Sequence, residues 1–386
     1  MRLALALSLL TTPVFAQTCG GPLPAFLDGI RTEAASMGLD ASATQRLLQG
    51  AAIDPAVLRA DRSQGVFQKD FISFSRALIS QNRMDNGRVY GNRFDRTFDS
   101  IEAKFGIPRG VILAFWAFET DFGQVQGNFN TRNALVTLAH DCRRPELFRP
   151  QLLAAIELTA LGGMNPATTT GAWAGEIGQV QMLPKDIIEN GMDGDGDGVV
   201  DLKGSSPDAL MSGANVLSSL GWRPNEPWLQ EINVPANLDW AQTGLNTRKS
   251  GAQWAALGVT ARSGSIASNL KAAVLLPMGR NGPAFLAYRN FDVYFEWNKS
   301  FVYVTTAAYF ATRLSGSPVY DAGNPTPPLT GSQMQSLQTK LTARGHDVGG
   351  IDGILGAMTR AAVQAEQTRL GLPADAWPTT ALLGAL

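Results

Sequence analysis

The chain has 386 residues, 45% of them hydrophobic, which exceeds one ordinary domain and supplies a large core, so two domains are expected. Lys and Arg total 32 against 33 Asp and Glu, a net charge of −1, which removes any electrostatic reason to expect nucleic acid as a partner. Two histidines and no clustered cysteines leave nothing to build a transition-metal centre, and no stretch reaches the ~20 apolar residues of a bilayer-spanning helix.

Met1 to Ala16 combines a basic start, a short apolar run and small residues before Gln17, the pattern of a secretory signal peptide. Gln17 and Thr18 ahead of Cys19 do not match a lipoprotein cleavage site, so a soluble periplasmic protein is expected. Cys19 and Cys142 are the only cysteines, and an oxidising compartment favours their pairing over two free thiols. The sequence leaves open whether they approach each other.

From Pro24 to Gly50 two amphipathic helices are expected, the first with Phe26, Leu27, Ile30 and Ala34 on its core face, the second with Leu47 and Leu48. Residues 61–88 begin with turn formers and continue in a helical pattern. The next segment, Gly106 to Gly123, reads as a helix with Pro108 in its first turn and Gly123 as its stop. Ile112, Phe115, Trp116 and Glu119 fall at i, i+3, i+4 and i+7, which places a carboxyl group on an apolar, aromatic face. Such surroundings disfavour the charged form and raise the pKa, suiting the group to donate a proton. Periodicity alone leaves Glu119 open between that role and an exposed acid on a helix end. Asp121, two residues on, points elsewhere on a helix and is a poor second carboxylate.

Residues 128–140 read as a polar loop entering a short helix, and Pro145 opens a helical run with Leu152, Leu153, Ile156 and Ala160 as its stripe. Between Thr168 and Pro184 the periodicity stops. There Glu176, Gln179 and Gln181 stand among glycines, a composition suited to lining a cleft for hydroxyl- and amide-bearing ligands or to an ordinary surface loop. Asp193, Asp195, Asp197, Gly198 and Asp201 then occupy positions 1, 3, 5, 6 and 9 of a calcium-loop pattern, in which Val199 would offer its carbonyl at position 7. Gly204 stands at position 12 instead of a glutamate, so Asp208 or water would have to complete the shell and weak binding is expected. Ser206-Pro207 starts a helix ended by Gly221. Residues 222–269 are rich in Pro, Gly and Trp and read as irregular, 270–283 as a short strand and turn, and 300–314 as an apolar helix. Aromatic residues beside Asn298 suit either sugar stacking or a core. Gly316 to Gly331, with four prolines, reads as a linker, and residues 332–386 as a separate small helical domain.

Four motifs carry a family likeness: W-A-F-E-T-D-F-G-Q-V-Q-G-N-F-N-T-R-N-A-L, G-E-I-G-Q-V-Q-M-L-P, the D-G-D-G-D-G loop and R-N-F-D-V-Y-F-E-W-N-K-S. In this order they resemble the membrane-bound lytic transglycosylase B family of murein-cleaving enzymes, over about Cys19 to Leu314. The resemblance implies a mainly α, lysozyme-like fold of the goose-lysozyme type at residues 17–315. It implies Glu119 as catalytic acid and base, Arg143 and Arg144 as a substrate-contacting basic pair, Gln179 as a cleft glutamine, Asn298 as a substrate-facing asparagine and the aspartate loop as a structural calcium site. Ala172 stands where many members have serine. Residues 332–386 resemble the three-helix peptidoglycan-binding module, most closely through Val363.

Ordinary glycosidases use two carboxylates. A lytic transglycosylase needs one, because the muramyl 6-hydroxyl attacks C1 of its own sugar and leaves a 1,6-anhydromuramyl end. No cofactor is implied for that chemistry. Glycan strands of peptidoglycan are the implied partner, together with periplasmic cell-wall assembly proteins, for a chain that acts as a monomer. Two alternatives stand beside it: a hydrolytic muramidase, with Glu176 as second acid, and a non-catalytic murein-binding or scaffolding protein.

Overall fold

The structure, a computed structural model, describes residues 19–63 and 69–386. The expected signal peptide, Met1–Ala16, lies outside the described residues. The expectation of a mainly α protein holds. Six helices, α1 (Leu23–Ser36), α2 (Ala41–Leu48), α3 (Pro55–Arg62), α4 (Phe71–Leu78), α5 (Gln81–Arg93) and α6 (Asp95–Phe105), precede the Glu119 helix, α7 (Arg109–Thr120). Then follow α8 (Thr131–His140), α9 (Pro145–Ala160), α10 (Pro184–Asn190), α11 (Ser206–Ser219), α12 (Gly251–Ala256), α13 (Arg289–Trp297) and α14 (Phe301–Leu314). The last three are α15 (Gly331–Ala343), α16 (Ala357–Arg369) and α17 (Thr380–Ala385).

By internal packing the chain divides into two compact units. The first comprises the described residues up to Arg62, Gly127–Glu176 and Leu183–Ile188; the second comprises Ser63–Gln126, Ile177–Met182 and Glu189–Leu386. In the first unit α8 packs on α9 and α3, and α2 on α9 and α1, burying Ile30, Leu47, Leu135, Leu152 and Ile156. Two short strands, β1 (Phe129–Asn130) and β2 (Thr170–Gly171), pair antiparallel there. Cys19 and Cys142 form a disulfide within this unit, as expected for an exported chain.

The second unit is centred on α14, which packs along α7, α4 and α13. Gly110 permits the close approach of α7 and α14, since a Cβ there would lie 2.4 Å from Ser315 Oγ and 2.8 Å from the Ala311 carbonyl oxygen. Residues 222–287, of which 222–269 read as irregular and 270–283 as a short strand and turn, hold the whole of a five-stranded antiparallel sheet. Its strands are β3 (Leu229–Asn233), β4 (Lys249–Ser250), β5 (Thr260–Ala261), β6 (Lys271–Leu275) and β7 (Phe285–Ala287), in the order β4-β6-β7-β3-β5. Three of these strands have two or three residues, too few for alternation to show in sequence. Trp254 on α12 is fully buried against the sheet and donates its indole N–H to the Ala272 carbonyl at 2.8 Å.

The segment 316–331 has no regular structure, but it is pinned rather than loose. Tyr320 is buried and within 2.9 Å of Ser75 Oγ, and the Thr326 carbonyl accepts from Trp377 Nε1 at 2.9 Å. Beyond it, α15, α16 and α17 enclose Met334, Leu337, Leu341, Val363 and Leu382 as a small core. Buried Gln338 and Gln367 hold the adjoining turns: Gln338 Oε1 accepts from Gly353 N at 2.8 Å, and Gln367 Oε1 from Ala376 N at 2.9 Å.

Candidate active site

Helix α7 ends earlier than the sequence suggests. Asp121 and Phe122 adopt left-handed φ values of 51° and 60° immediately after Thr120, a conformation that costs non-glycine residues energy and is found where a site demands it. Thr120 fixes the bend by donating its hydroxyl to the Gln179 carbonyl at 2.5 Å while accepting from Gly123 N at 2.8 Å. Gly123 allows Gln179 to lie against this turn, since a Cβ there would fall 2.6 Å from Gln179 Oε1.

Glu119 is the last residue but one of α7, half-buried, under a roof supplied by α13 and α14. Tyr303 donates its hydroxyl to Glu119 Oε1 at 2.6 Å, and Trp297 donates its indole N–H to the same oxygen at 2.9 Å. Phe115 stacks on Tyr294 and lies 4.6 Å from the Trp297 ring, and Phe118 lies 5.8 Å from Tyr303, completing an aromatic enclosure. Burial raises the Glu119 pKa above the usual carboxylate range, and the two hydrogen bonds pull it back only in part. Burial, with the Glu119 charge beside it, holds the Tyr303 hydroxyl well above its own ordinary pKa, so that it remains a donor. With Oε1 occupied twice, the acidic proton belongs on Oε2.

The helical face is therefore only half of the enclosure. Trp116, expected beside Glu119, packs with Tyr90, Phe94 and Phe122 and donates its indole N–H to Gln179 Oε1 at 3.1 Å. The two groups that touch the carboxylate, Trp297 and Tyr303, were not expected from sequence. Their signal is chemical: an indole N–H and a phenol need acceptors once buried. Asp121 is bound to Arg83 at 3.0 Å, as befits a residue not shared with the acid.

The remaining candidate residues fall in both units. In the second, Gln179 is 5% exposed and its amide is engaged by the protein: Oε1 accepts from Trp116 and from Ser206 Oγ at 3.0 Å, and Nε2 donates to the Lys203 carbonyl at 3.3 Å. Gln181, at φ 53°, donates to the Gly178 carbonyl at 2.7 Å. Asn298 accepts from Ser300 N at 2.9 Å and shapes the turn between α13 and α14. In the first unit, Arg143 and Arg144 converge on Asp61, which is 1% exposed. Arg143 Nη1 reaches Asp61 Oδ2 at 2.5 Å and the Asp61 carbonyl at 2.6 Å, while Arg144 bonds the other carboxylate oxygen and lies over Phe148. Glu176 closes a tight turn there, its carbonyl accepting from Ala172 N at 3.0 Å.

In the aspartate loop, carboxylate oxygens of Asp193, Asp195 and Asp197 lie within 4.8 Å of one another, all exposed. Backbone N–H groups of Gly198 and Gly196 donate to Asp193 and hold its pKa below the usual carboxylate range. The other two expected carboxylates, Asp201 and Asp208, are engaged by backbone N–H groups. Asp201 Oδ1 accepts from Lys203 N and Gly204 N at 3.0 and 2.9 Å. Asp208, 1% exposed, cannot complete the shell as expected, since its two oxygens accept from Gly194 N and Asp201 N, each at 2.8 Å.

Residues 23–312 match the family described as "Transglycosylase SLT domain". The chain belongs to that family. Residues 330–386 match a second, described as "Putative peptidoglycan binding domain". Among relatives of the SLT family, SltB3 of Pseudomonas aeruginosa, solved in complex with NAG-anhNAM-pentapeptide, is 36% identical, with a TM-score of 0.86 over 95% of this chain and 99% of that one. The Escherichia coli transglycosylase Slt35, solved in complex with calcium, shares the fold at 24% identity, with a TM-score of 0.64 over 78% of this chain and 96% of that one. Membrane-bound lytic murein transglycosylase B of E. coli K12 is 27% identical over 193 residues, 49% of this chain, and the match spans about half of that relative's length (52%).

Proposed function

We propose that this chain is a lytic murein transglycosylase that cleaves the β-1,4 bond between N-acetylmuramic acid and N-acetylglucosamine. The observation that carries this reading is the Glu119 carboxyl group, enclosed by aromatic rings, raised in pKa and bonded through one oxygen only. Protonated Oε2 gives its proton to the glycosidic oxygen as the C1–O bond breaks. The resulting carboxylate takes the proton of the muramyl 6-hydroxyl as that oxygen bonds to C1, which closes the 1,6-anhydro ring and regenerates the acid. Nucleophile and electrophile share one sugar, and effective molarities on the order of 10⁵ M make a protein nucleophile unnecessary. The anhydro ligand bound by SltB3 is the kind of end this step produces.

Arg143 and Arg144, oriented by Asp61, are assigned to glycan binding, as are Glu176, Gln181 and Asn298. Gln179 acts by fixing the end of α7. The hard oxygens of Asp193, Asp195 and Asp197 fit a calcium ion, with the Val199 carbonyl as a further ligand, and calcium would tie the loop to the start of α11 through the Ser205–Asp195 bond at 2.7 Å. The signal-like N-terminus and the murein substrate support a periplasmic location, with the chain assigned there as a monomer. Among the described residues no helix is long and apolar enough to cross a membrane. Purified sacculi incubated with wild type and with Glu119→Gln test the reading. Release of soluble fragments by wild type alone supports it, and release by neither, or equally by both, rejects it.

A further inference from the structure

One side chain of the C-terminal module packs directly on the scaffold of Glu119. Arg360, on α16, is half-buried, with its guanidinium carbon 4.2 Å from the Phe301 ring centroid and 5.6 Å from that of Trp377. Its Nη2 donates to the Pro277 carbonyl at 2.7 Å and its Nη1 to the Leu276 carbonyl at 3.4 Å, both at the end of β6. Among the described residues no carboxylate binds it directly, and the neighbouring Asp375 pairs with Arg280 at 3.1 Å. Burial pushes its pKa down to about 9, so the charge is held here at a cost in solvation. The ring faces and carbonyls occupy the planar group so fully that only its buried Nε lacks a partner among the described residues, which leaves no edge for a bidentate anion.

Phe301 opens α14. Two residues later Tyr303 donates to Glu119, and four residues earlier Trp297 donates to the same oxygen. The turn between them is held by Asn298 Oδ1 accepting from Ser300 N at 2.9 Å and Ser300 Oγ accepting from Tyr303 N at 3.4 Å. Residues 297–303 thus carry both donors to the acid as well as the ring under Arg360.

We propose that Arg360 is a positioning residue for the catalytic acid: its stack on Phe301 fixes the first turn of α14 and, through it, the Tyr303 and Trp297 donors on Glu119. This rests on the function proposed above for Glu119. The C-terminal module then bears on turnover as well as on murein binding. Stacking of a guanidinium on an aromatic ring is directional and planar, unlike a point charge, so lysine replaces it only in part.

The test uses the full chain with Arg360→Met, Arg360→Lys, Phe301→Leu and the Arg360→Met/Phe301→Leu pair, on a short soluble glycan too small to need the module for capture. Circular dichroism and melting identify the folded variants, and Phe301→Leu carries the test should Arg360→Met not fold. Arg360→Met and Phe301→Leu are each expected to lower kcat about tenfold with KM within about twofold, and Arg360→Lys to recover at least half of the loss. The double variant should be no worse than the poorer single one, because both break one contact. A folded variant with wild-type kcat, a change confined to KM, or multiplicative losses in the pair would each overturn the proposal. A wild type inactive on this glycan and on sacculi would instead remove the function on which it rests.

Discussion

Glu119 and the aspartate loop set the same functional group in opposite environments. At Glu119 one carboxyl group is enclosed by Phe115, Trp297 and Tyr303, and the loss of water outweighs two hydrogen bonds, raising its pKa. At Asp193 the carboxylate is exposed and accepts several backbone N–H groups, which lowers its pKa. One environment stores a proton and the other stores negative charge, which is the difference between an acid catalyst and a cation ligand. Asp61 is a third solution, buried and paired with two arginines.

The largest effect expected is at the proton store. Glu119→Gln should lower cleavage by about 10²-fold or more while leaving sacculus binding in place. A raised folded-state pKa means the native state favours the protonated acid. The stability this contributes is present below the unfolded pKa and is lost as pH rises through the folded one. Glu119→Gln should therefore melt higher than wild type near neutral pH and with it at pH 4; a variant that melts lower at pH 7 contradicts the burial account.

Tyr303→Phe removes a hydrogen bond that lowers the Glu119 pKa. The alkaline limb of kcat should then move to higher pH, with kcat reduced about tenfold. A limb that stays in place or moves down would show that Tyr303 does not set the acid. Asp61→Ala leaves two arginines without their shared partner, but these side chains are 50% and 35% exposed and can rehydrate. A loss of about 1–3 kcal/mol by chemical denaturation is expected, and no loss would mean the cluster is held by other contacts. The smallest effect is at the charge store. With a millimolar-range site, 10 mM calcium should add about 1–2 kcal/mol, read as a rise in Tm, and Asp193→Ala should abolish the rise. An equal rise in that variant would place the ion elsewhere.

The helical frame is legible in the sequence because apolar periodicity and caps are local: α1, α2, α9 and α11 fall where Phe26, Ile30, Leu47, Leu152, Leu210 and Ser206-Pro207 place them. The sheet is not, since β4 and β5 have two residues each and exist only through pairing with β6 and β3. At the site, Glu119 and the three loop aspartates are legible from spacing. What spacing does not carry is the direction in which a polar side chain spends its bonds. Gln179, Asp201 and Asp208 turn toward backbone and indole partners within the protein, while Trp297 and Tyr303, more than 170 residues beyond Glu119, supply its donors. The Pro-rich segment 316–331 has the composition of a free spacer, yet Tyr320 and Thr326 pin it and Arg360 docks the module that follows.

The central claim is that one buried carboxyl group, acting as acid and then as base, suffices. Mass spectrometry of murein digested by the wild-type protein tests it most directly. Fragments ending in 1,6-anhydromuramic acid, about 18 mass units lighter than reducing ends, are the predicted result. Fragments ending in reducing muramic acid would mean that water enters the product and that a second group activates it, contradicting the single-carboxylate mechanism.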